Sequence, residues 1–254
     1  MRLISLCPSL TELVFALGCG PDLVGRTKFC VHPEGEVDAV ETLGGTKSPK
    51  LERIFDLAPD LVLLNEEENR REDALALDAA GVPCHVSFPR DVAATAAMVR
   101  SIGVLLDRAD RADAIARDIE ARTARVTAAA RGRPEVRFAY LVWQDPWMAA
   151  GGDTFISALL TQAGGRNVLA HRAERYPTLI PAELGAAGPD LVLLSSEPFP
   201  FRQRHVDELA VITGLDPRRL RLVDGELLSW HGSRTPAGVD YAESVIRDGR
   251  RRDG

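Results

Sequence analysis

The hexapeptide PDLVLL occurs twice in this chain, at 59–64 and 189–194, each time after a short helix-forming stretch, LERIFDLA or PAELGAAG. Each apolar run LVLL is bounded by Pro-Asp before it and by polar residues after it, Asn65 in one copy and Ser195-Ser196 in the other. Four uninterrupted apolar residues suit a strand covered on both faces, as in a parallel sheet. A chain of 254 residues that builds such a sheet twice is expected to form two α/β lobes.

The neighbouring elements repeat in the same order. Strand RLISL (2–6) precedes helix SLTELVFAL (9–17), where Ser9 and Glu12 are spaced as a capping box. Strand VRFAYLVW (136–143) precedes helix DTFISALLTQA (153–163), which Asp153 or Thr154 can cap. Gly18 and Gly20 end the first helix and Gly164-Gly165 the second. Late strands VPCHVSF (82–88) and RLRLVD (219–224) complete the halves. The stretch 107–134, rich in Ala, Arg, Asp and Glu, places Ile115, Ile119 and Val126 on one helical face. It predicts a helix of about 25 residues, roughly 37 Å long, either a strut joining the lobes or a surface helix of one of them. The expected division is an N-terminal α/β lobe (1–106), a backbone helix (107–133) and a C-terminal α/β lobe (134–254), with a ligand cleft between the lobes.

Composition narrows the partners. With 45% hydrophobic residues, 27% charged residues and a net charge of −6, the chain suits neither nucleic acid nor an anionic membrane. No apolar run reaches the roughly 20 residues of a membrane span. MRLISLCPSL reads as a first strand rather than a secretory leader, which implies a cytoplasmic chain as written, or an extracytoplasmic one if its start lies upstream. Cys7, Cys19, Cys30 and Cys84 form no CxxC pair and read as free thiols. The basic RDGRRRDG (247–254) reads as a solvated tail.

Ligands of open α/β sheets bind beyond the carboxyl ends of the strands. The loops expected there carry most of the aromatic residues: Phe29, Phe88, Trp143, Trp147, Tyr176, Phe199, Phe201 and Trp230. Trp143, Trp147 and Trp230 offer broad, rigid ring area to a flat, partly apolar ligand, or else pack as local core. His32 and His231 lie in such loops and are candidates for axial ligation of a metal held in a macrocycle. A bare cation site would need a set such as His32, Asp145, Asp153 and His231 to converge, which no spacing enforces. His85 reads as structural, His171 and His205 as exposed. Lys28, Lys47, Arg90, Arg175 and Arg234 can pair with ligand anions or with local acids. The Gly151-Gly152 turn reads as a tight turn with amides free for a ligand edge, and Cys7 sits where a helix N-terminus can depress a thiol pKa. No nucleophile–base pair, P-loop or GxSxG motif is present, so no enzyme activity is expected.

The segments ISLCPSLTELVFALG, VGRTKFCVHP, GGTKSPKLERIFDLAPDLVLL, MAAGGDTFISALLTQAGGRNV and the later IPAEL…PDLVLLSSEPF resemble the helical-backbone periplasmic binding proteins, in particular their cobalamin-binding branch. The resemblance spans nearly all of 2–248. It implies the substrate-binding component of an ABC-type importer, a monomer that holds a flat macrocycle. It places Pro8, Ser9, Phe29, His32 and Asn65 toward the ligand from the first lobe. From the second it places Trp143, Asp145, Trp147, Gly151, Gly152 and the loop with Trp230 and His231; Tyr176 joins them as a loop aromatic. It also implies docking of a permease through exposed glutamates, for which Glu68, Glu72 and Glu208 are the candidates. The expected ligand is a corrinoid, cobalamin or cobinamide, with haem or a ferric siderophore as alternatives. An intracellular corrinoid-handling protein or enzyme on the same scaffold is the third reading.

Overall fold

The computed structural model describes residues 1–250. The chain forms two compact units. One comprises 1–89, 94–117 and 231–234; the other comprises 90–93, 118–230 and, of the described residues, 235–250. The helix Ala109–Ala130 begins in the first unit and ends in the second.

The first unit is built on a four-stranded parallel sheet in the order Leu23–Arg26, Leu3–Ser5, Leu61–Asn65, Cys84–Ser87. The two inner strands are buried at every position, as continuous apolar runs require. One face packs Ile4, Val62 and Leu64 against Leu43, Ile54 and Leu77. Burying each such side chain contributes roughly 1.5–3 kcal/mol. The edge strand Leu23–Arg26 was not among the expected strands; its sequence LVGR alternates buried and half-buried residues too briefly to stand out.

Helix Pro8–Ala16 starts one residue earlier than expected, which removes the predicted capping box. Proline is favoured at the first helical position, so Cys7 becomes the N-cap and Ser9 lies inside the first turn. The end is as expected: Gly18 takes φ 79° after the C-cap.

The second unit has the order Leu220–Val223, Leu191–Ser195, Val136–Trp143. The outer edge of Val136–Trp143 is shared by two short strands. Gly165–Asn167 runs parallel to its first half, and Met148–Ala149 folds back antiparallel beside its end. Neither was expected as a strand, because glycine-rich and two-residue strands leave no periodic signal.

The repeated Pro-Asp does the same work in both units. The backbone N–H of Arg2 donates to the Asp60 carboxylate at 2.7 Å, and that of Arg137 donates to Asp190 at 2.7 Å. In return the amides of Asp60 and Asp190 donate to the carbonyls of Arg2 and Arg137 at 2.9 and 2.8 Å. Each aspartate thus fixes where its LVLL strand enters the sheet. The preceding short helices, Leu51–Asp56 and Pro181–Ala187, end at left-handed residues, Ala58 (φ 43°) and Gly188 (φ 55°).

No helix among the described residues is long and apolar enough to cross a membrane. Of the expected C-terminal tail, 247–250 form the last turn of helix Thr235–Arg250, and 251–254 lie outside the described residues.

Candidate ligand-binding site

In the second unit the chain leaves strand Val136–Trp143, turns through 144–147 and returns along Met148–Ala149, with Trp143 paired to Met148. This hairpin explains two tryptophans at the open end of a strand. Trp143 is 41% exposed and sits edge-on to Phe199, with ring centroids 5.6 Å apart. Trp147 is half-buried and stacks on Phe201 at 5.9 Å with 10° between the planes. Phe199 and Phe201 meet at 4.7 Å. Four rings from two neighbouring strand ends therefore form one aromatic cluster, with Trp143 exposed, Trp147 and Phe199 half-buried and Phe201 buried beneath them. Asp145, exposed, turns the hairpin at φ 61°, and Tyr176 is half-buried nearby in sequence to the Met148–Thr178 bridge.

His205, expected to be exposed, is 3% exposed and lies edge-on to Phe199 (5.2 Å) and Phe201 (5.6 Å). Sequence reasoning missed it because a lone histidine on a polar helix carries no sign of what covers it. Phe201 is likewise buried rather than open.

Trp230 is also buried, and its indole N–H donates to Glu197 Oε1 at 2.8 Å, beside the Ser229 hydroxyl at 2.6 Å. Its ring is packed under the loop, the core alternative for this residue. Gly151 corrects the expected role of its turn. Its amide donates to the Arg175 carbonyl at 2.7 Å and is not free for a ligand. A Cβ there would meet the Glu174 carbonyl at 2.5 Å, and one at Gly152 the Ala170 carbonyl at 2.8 Å. Close backbone approach is why glycine is needed at both.

The first unit gathers a polar cluster at the ends of its inner strands. Asn65 Nδ2 lies 3.2 Å from His231 Nε2, and Ser9 Oγ lies 3.5 Å from the same nitrogen. Asn65 Oδ1 accepts from the amides of Glu67 and Glu68 at 2.9 and 3.2 Å, which fixes the amide orientation. Nδ2 therefore donates and His231 Nε2 accepts, with the ring proton on Nδ1. His231 is buried and its Nε2 lone pair is engaged, so this nitrogen is not placed for axial ligation. Pro8 is half-buried beside the cluster in sequence, Ser9 and Asn65 are buried, Phe29 is exposed with the Lys28 ammonium 5.0 Å from its ring, and His32 is half-buried before Pro33.

Burial also corrects the reading of Cys7. Desolvation, followed by the nearby Glu68 carboxylate, pushes its thiol far above the usual range, so the helix N-terminus does not activate it. The basic groups are largely matched. Arg234 holds Glu12 through two 2.9 Å bonds within the first unit, while Arg175 and Arg90 reach Asp153 at 2.9 and 3.4 Å within the second. Among the described residues no three His, Cys, Asp or Glu side chains converge.

The glutamates differ from one another. Glu72 is exposed at the start of helix Arg71–Ala79, and Glu208 is exposed and accepts from Gln144 at 3.0 Å. Glu68 is half-buried; desolvation raises its carboxyl pKa, with Lys47 opposing and Glu67 adding. That makes it the weakest of the three as an exposed docking charge.

Parallel strands whose ends carry exposed aromatic rings define an α/β ligand-binding protein. The chain belongs to the periplasmic binding protein family, whose model matches residues 3–210. It is 27% identical over 194 residues to the vitamin B12-binding protein of Vibrio parahaemolyticus, covering 76% of this chain and 70% of that one. Among solved structures, it superposes on the periplasmic vitamin B12-binding protein of Vibrio cholerae with a TM-score of 0.85 at 18% identity, and 98% of each chain is covered. It also superposes on the periplasmic haem-binding protein of Roseiflexus sp. RS-1 with a TM-score of 0.84 at 27% identity, again over 98% of each chain.

Proposed function

We propose that this chain is the substrate-binding component of an ABC-type importer and that its ligand is a corrinoid, cobalamin or cobinamide, bound without chemical change. The observation that carries this reading is the aromatic cluster at the strand ends of the second unit, where exposed Trp143 lies edge-on to Phe199 and half-buried Trp147 stacks on Phe201, offering apolar ring area to a macrocycle. Relatives named for vitamin B12 binding support the corrinoid over other flat ligands. The pairing of Arg234 with Glu12 and of Arg175 with Asp153 weighs against an anionic ferric siderophore, which needs unmatched positive charge. In the first unit half-buried Pro8 and exposed Phe29 are the proposed ligand-side residues, Ser9 and Asn65 being buried and bonded within the scaffold, and Glu72 and Glu208 are the proposed permease contacts. Delivery to a permease places the working protein outside the cytoplasm.

Haem is the second reading. It is favoured by the haem-binding relative from Roseiflexus sp. RS-1 and by half-buried His32, the remaining candidate for axial ligation.

Titrating the purified protein with cyanocobalamin, cobinamide and haemin, read by tryptophan quenching and by the ligand's visible spectrum, separates the two. Saturable quenching by a corrinoid at micromolar or lower concentration is expected. Quenching by haemin alone, with a spectral shift lost in His32→Ala, transfers the assignment to haem. Binding of none of the three overturns both.

A further inference from the structure

His205 stands behind the aromatic surface. It is the third residue of helix Gln203–Thr213, and its Nδ1 accepts the backbone N–H of Arg202 at 2.8 Å, the side-chain half of a capping box. The same ring holds Phe199 and Phe201 edge-on, and these in turn carry Trp143 and Trp147. One imidazole therefore ties a helix start to a four-ring cluster that reaches the surface at Trp143.

The geometry limits what this ring can do with a second proton. A backbone amide is a fixed donor, so in the neutral ring Nδ1 must keep its lone pair and the proton resides on Nε2. A further proton can go only to Nδ1, where its N–H would meet the N–H of Arg202 head-on and break the cap. With the ring proton on Nε2, the exposed Arg204 side chain, whose Nε lies 3.1 Å from that nitrogen, must turn its N–H aside, whereas the backbone amide of Arg202 cannot; the positive charges of Arg204 and Arg202 still disfavour a cationic ring. Glu208 opposes them, and it is engaged by Gln144, which the hairpin contributes from the other side. Burial, with Arg204 next, pushes the imidazole below its ordinary range.

We propose that His205 is a positioning residue for the aromatic surface, and that proton uptake at its Nδ1 releases Phe199 and Phe201 from their places and weakens macrocycle binding in mildly acidic solution. The binding consequence rests on the ligand reading above, whereas the movement of the rings does not. Neutral His205 keeps the rings packed near pH 7.5; the cation gives up the Arg202 bond, and the helix start and the two phenylalanines loosen together.

The test follows tryptophan near-UV circular dichroism of the ligand-free chain from pH 8 to pH 5. It compares the unmodified protein with His205→Phe, which keeps an aromatic ring, and with His205→Asn, which keeps an acceptor near the Nδ1 position; neither variant can titrate. Far-UV spectra of all three confirm folding. The expected result is a tryptophan transition in the unmodified protein that both variants lack. Corrinoid affinity should fall in step with that transition in the unmodified protein and stay level across the same pH range in the variants. A flat tryptophan signal in the unmodified protein, or the same transition in the variants, overturns the proposal. If no macrocycle binds but the transition is present and lost in the variants, the ligand reading fails and the role of His205 in setting the rings stands.

Discussion

Asn65 donates through Nδ2 to His231 Nε2 at 3.2 Å, joining the end of the first LVLL strand to a residue 166 positions later in the chain. Residues 231–234 belong to the first unit although their neighbours in sequence belong to the second. Arg234 adds its paired contacts to Glu12, and Gly232 packs beside Ser9 and Leu13.

Asn65→Ala should therefore destabilise the protein by about 1–3 kcal/mol, because it leaves the Glu67 and Glu68 amides and His231 Nε2 without this partner in a buried place. His231→Ala should cost a similar amount. Since both remove one bond, the double variant should cost clearly less than the sum. Urea unfolding of the three variants measures this; additive losses would show that the bond contributes nothing.

Trp143→Ala should leave stability within about 0.5 kcal/mol, as for an exposed side chain, yet weaken corrinoid binding about tenfold, or roughly 1.4 kcal/mol. Phe201→Ala should instead lower stability by about 3–5 kcal/mol, because it empties buried volume beneath Trp147. Paired urea melts and fluorescence titrations distinguish the two effects. Unchanged affinity in Trp143→Ala would remove that ring from the ligand surface.

Gly151→Ala tests why the Gly-Gly turn is there. An added methyl would sit 2.5 Å from the Glu174 carbonyl and 3.1 Å from that of Arg175, so backbone must shift. Overpacking of this kind costs about 1–3 kcal/mol. A thermal melt should show the loss; a neutral substitution would mean the turn has room to relax.

Three of the four thiols, Cys7, Cys30 and Cys84, should react in a set order. Burial, with Asp78 adding, pushes half-buried Cys84 up to about 11, while Cys7 and Cys30 are buried more deeply and raised by desolvation first. Since the thiolate is the nucleophile, a chromogenic disulfide at pH 8 should label Cys84 slowly. Cys7 and Cys30 should be labelled only when denaturant opens the fold. Rapid labelling of Cys7 in the native protein would contradict its burial.

The LVLL strands and Val136–Trp143 were legible from composition and order alone, since burial on both faces demands continuous apolar residues and leaves a local mark. Thr154 as the cap of helix Phe155–Gln162 was legible for the same reason, because a cap is chosen by its own few neighbours. The exposed ring of Trp143 was half legible: its position at a strand end pointed to the surface, but not to Phe199 as its partner.

The buried state of His205 and Trp230, the engaged nitrogen of His231 and the occupied amide of Gly151 left no such mark. Each depends on a partner brought close by packing rather than by spacing: Phe199 and Phe201 over His205, Glu197 against Trp230, Asn65 against His231, Arg175 against Gly151. Periodicity records which side of an element is apolar. It cannot record which polar atom from a distant segment will meet a donor or acceptor there, and that meeting sets whether a side chain serves the ligand or the scaffold.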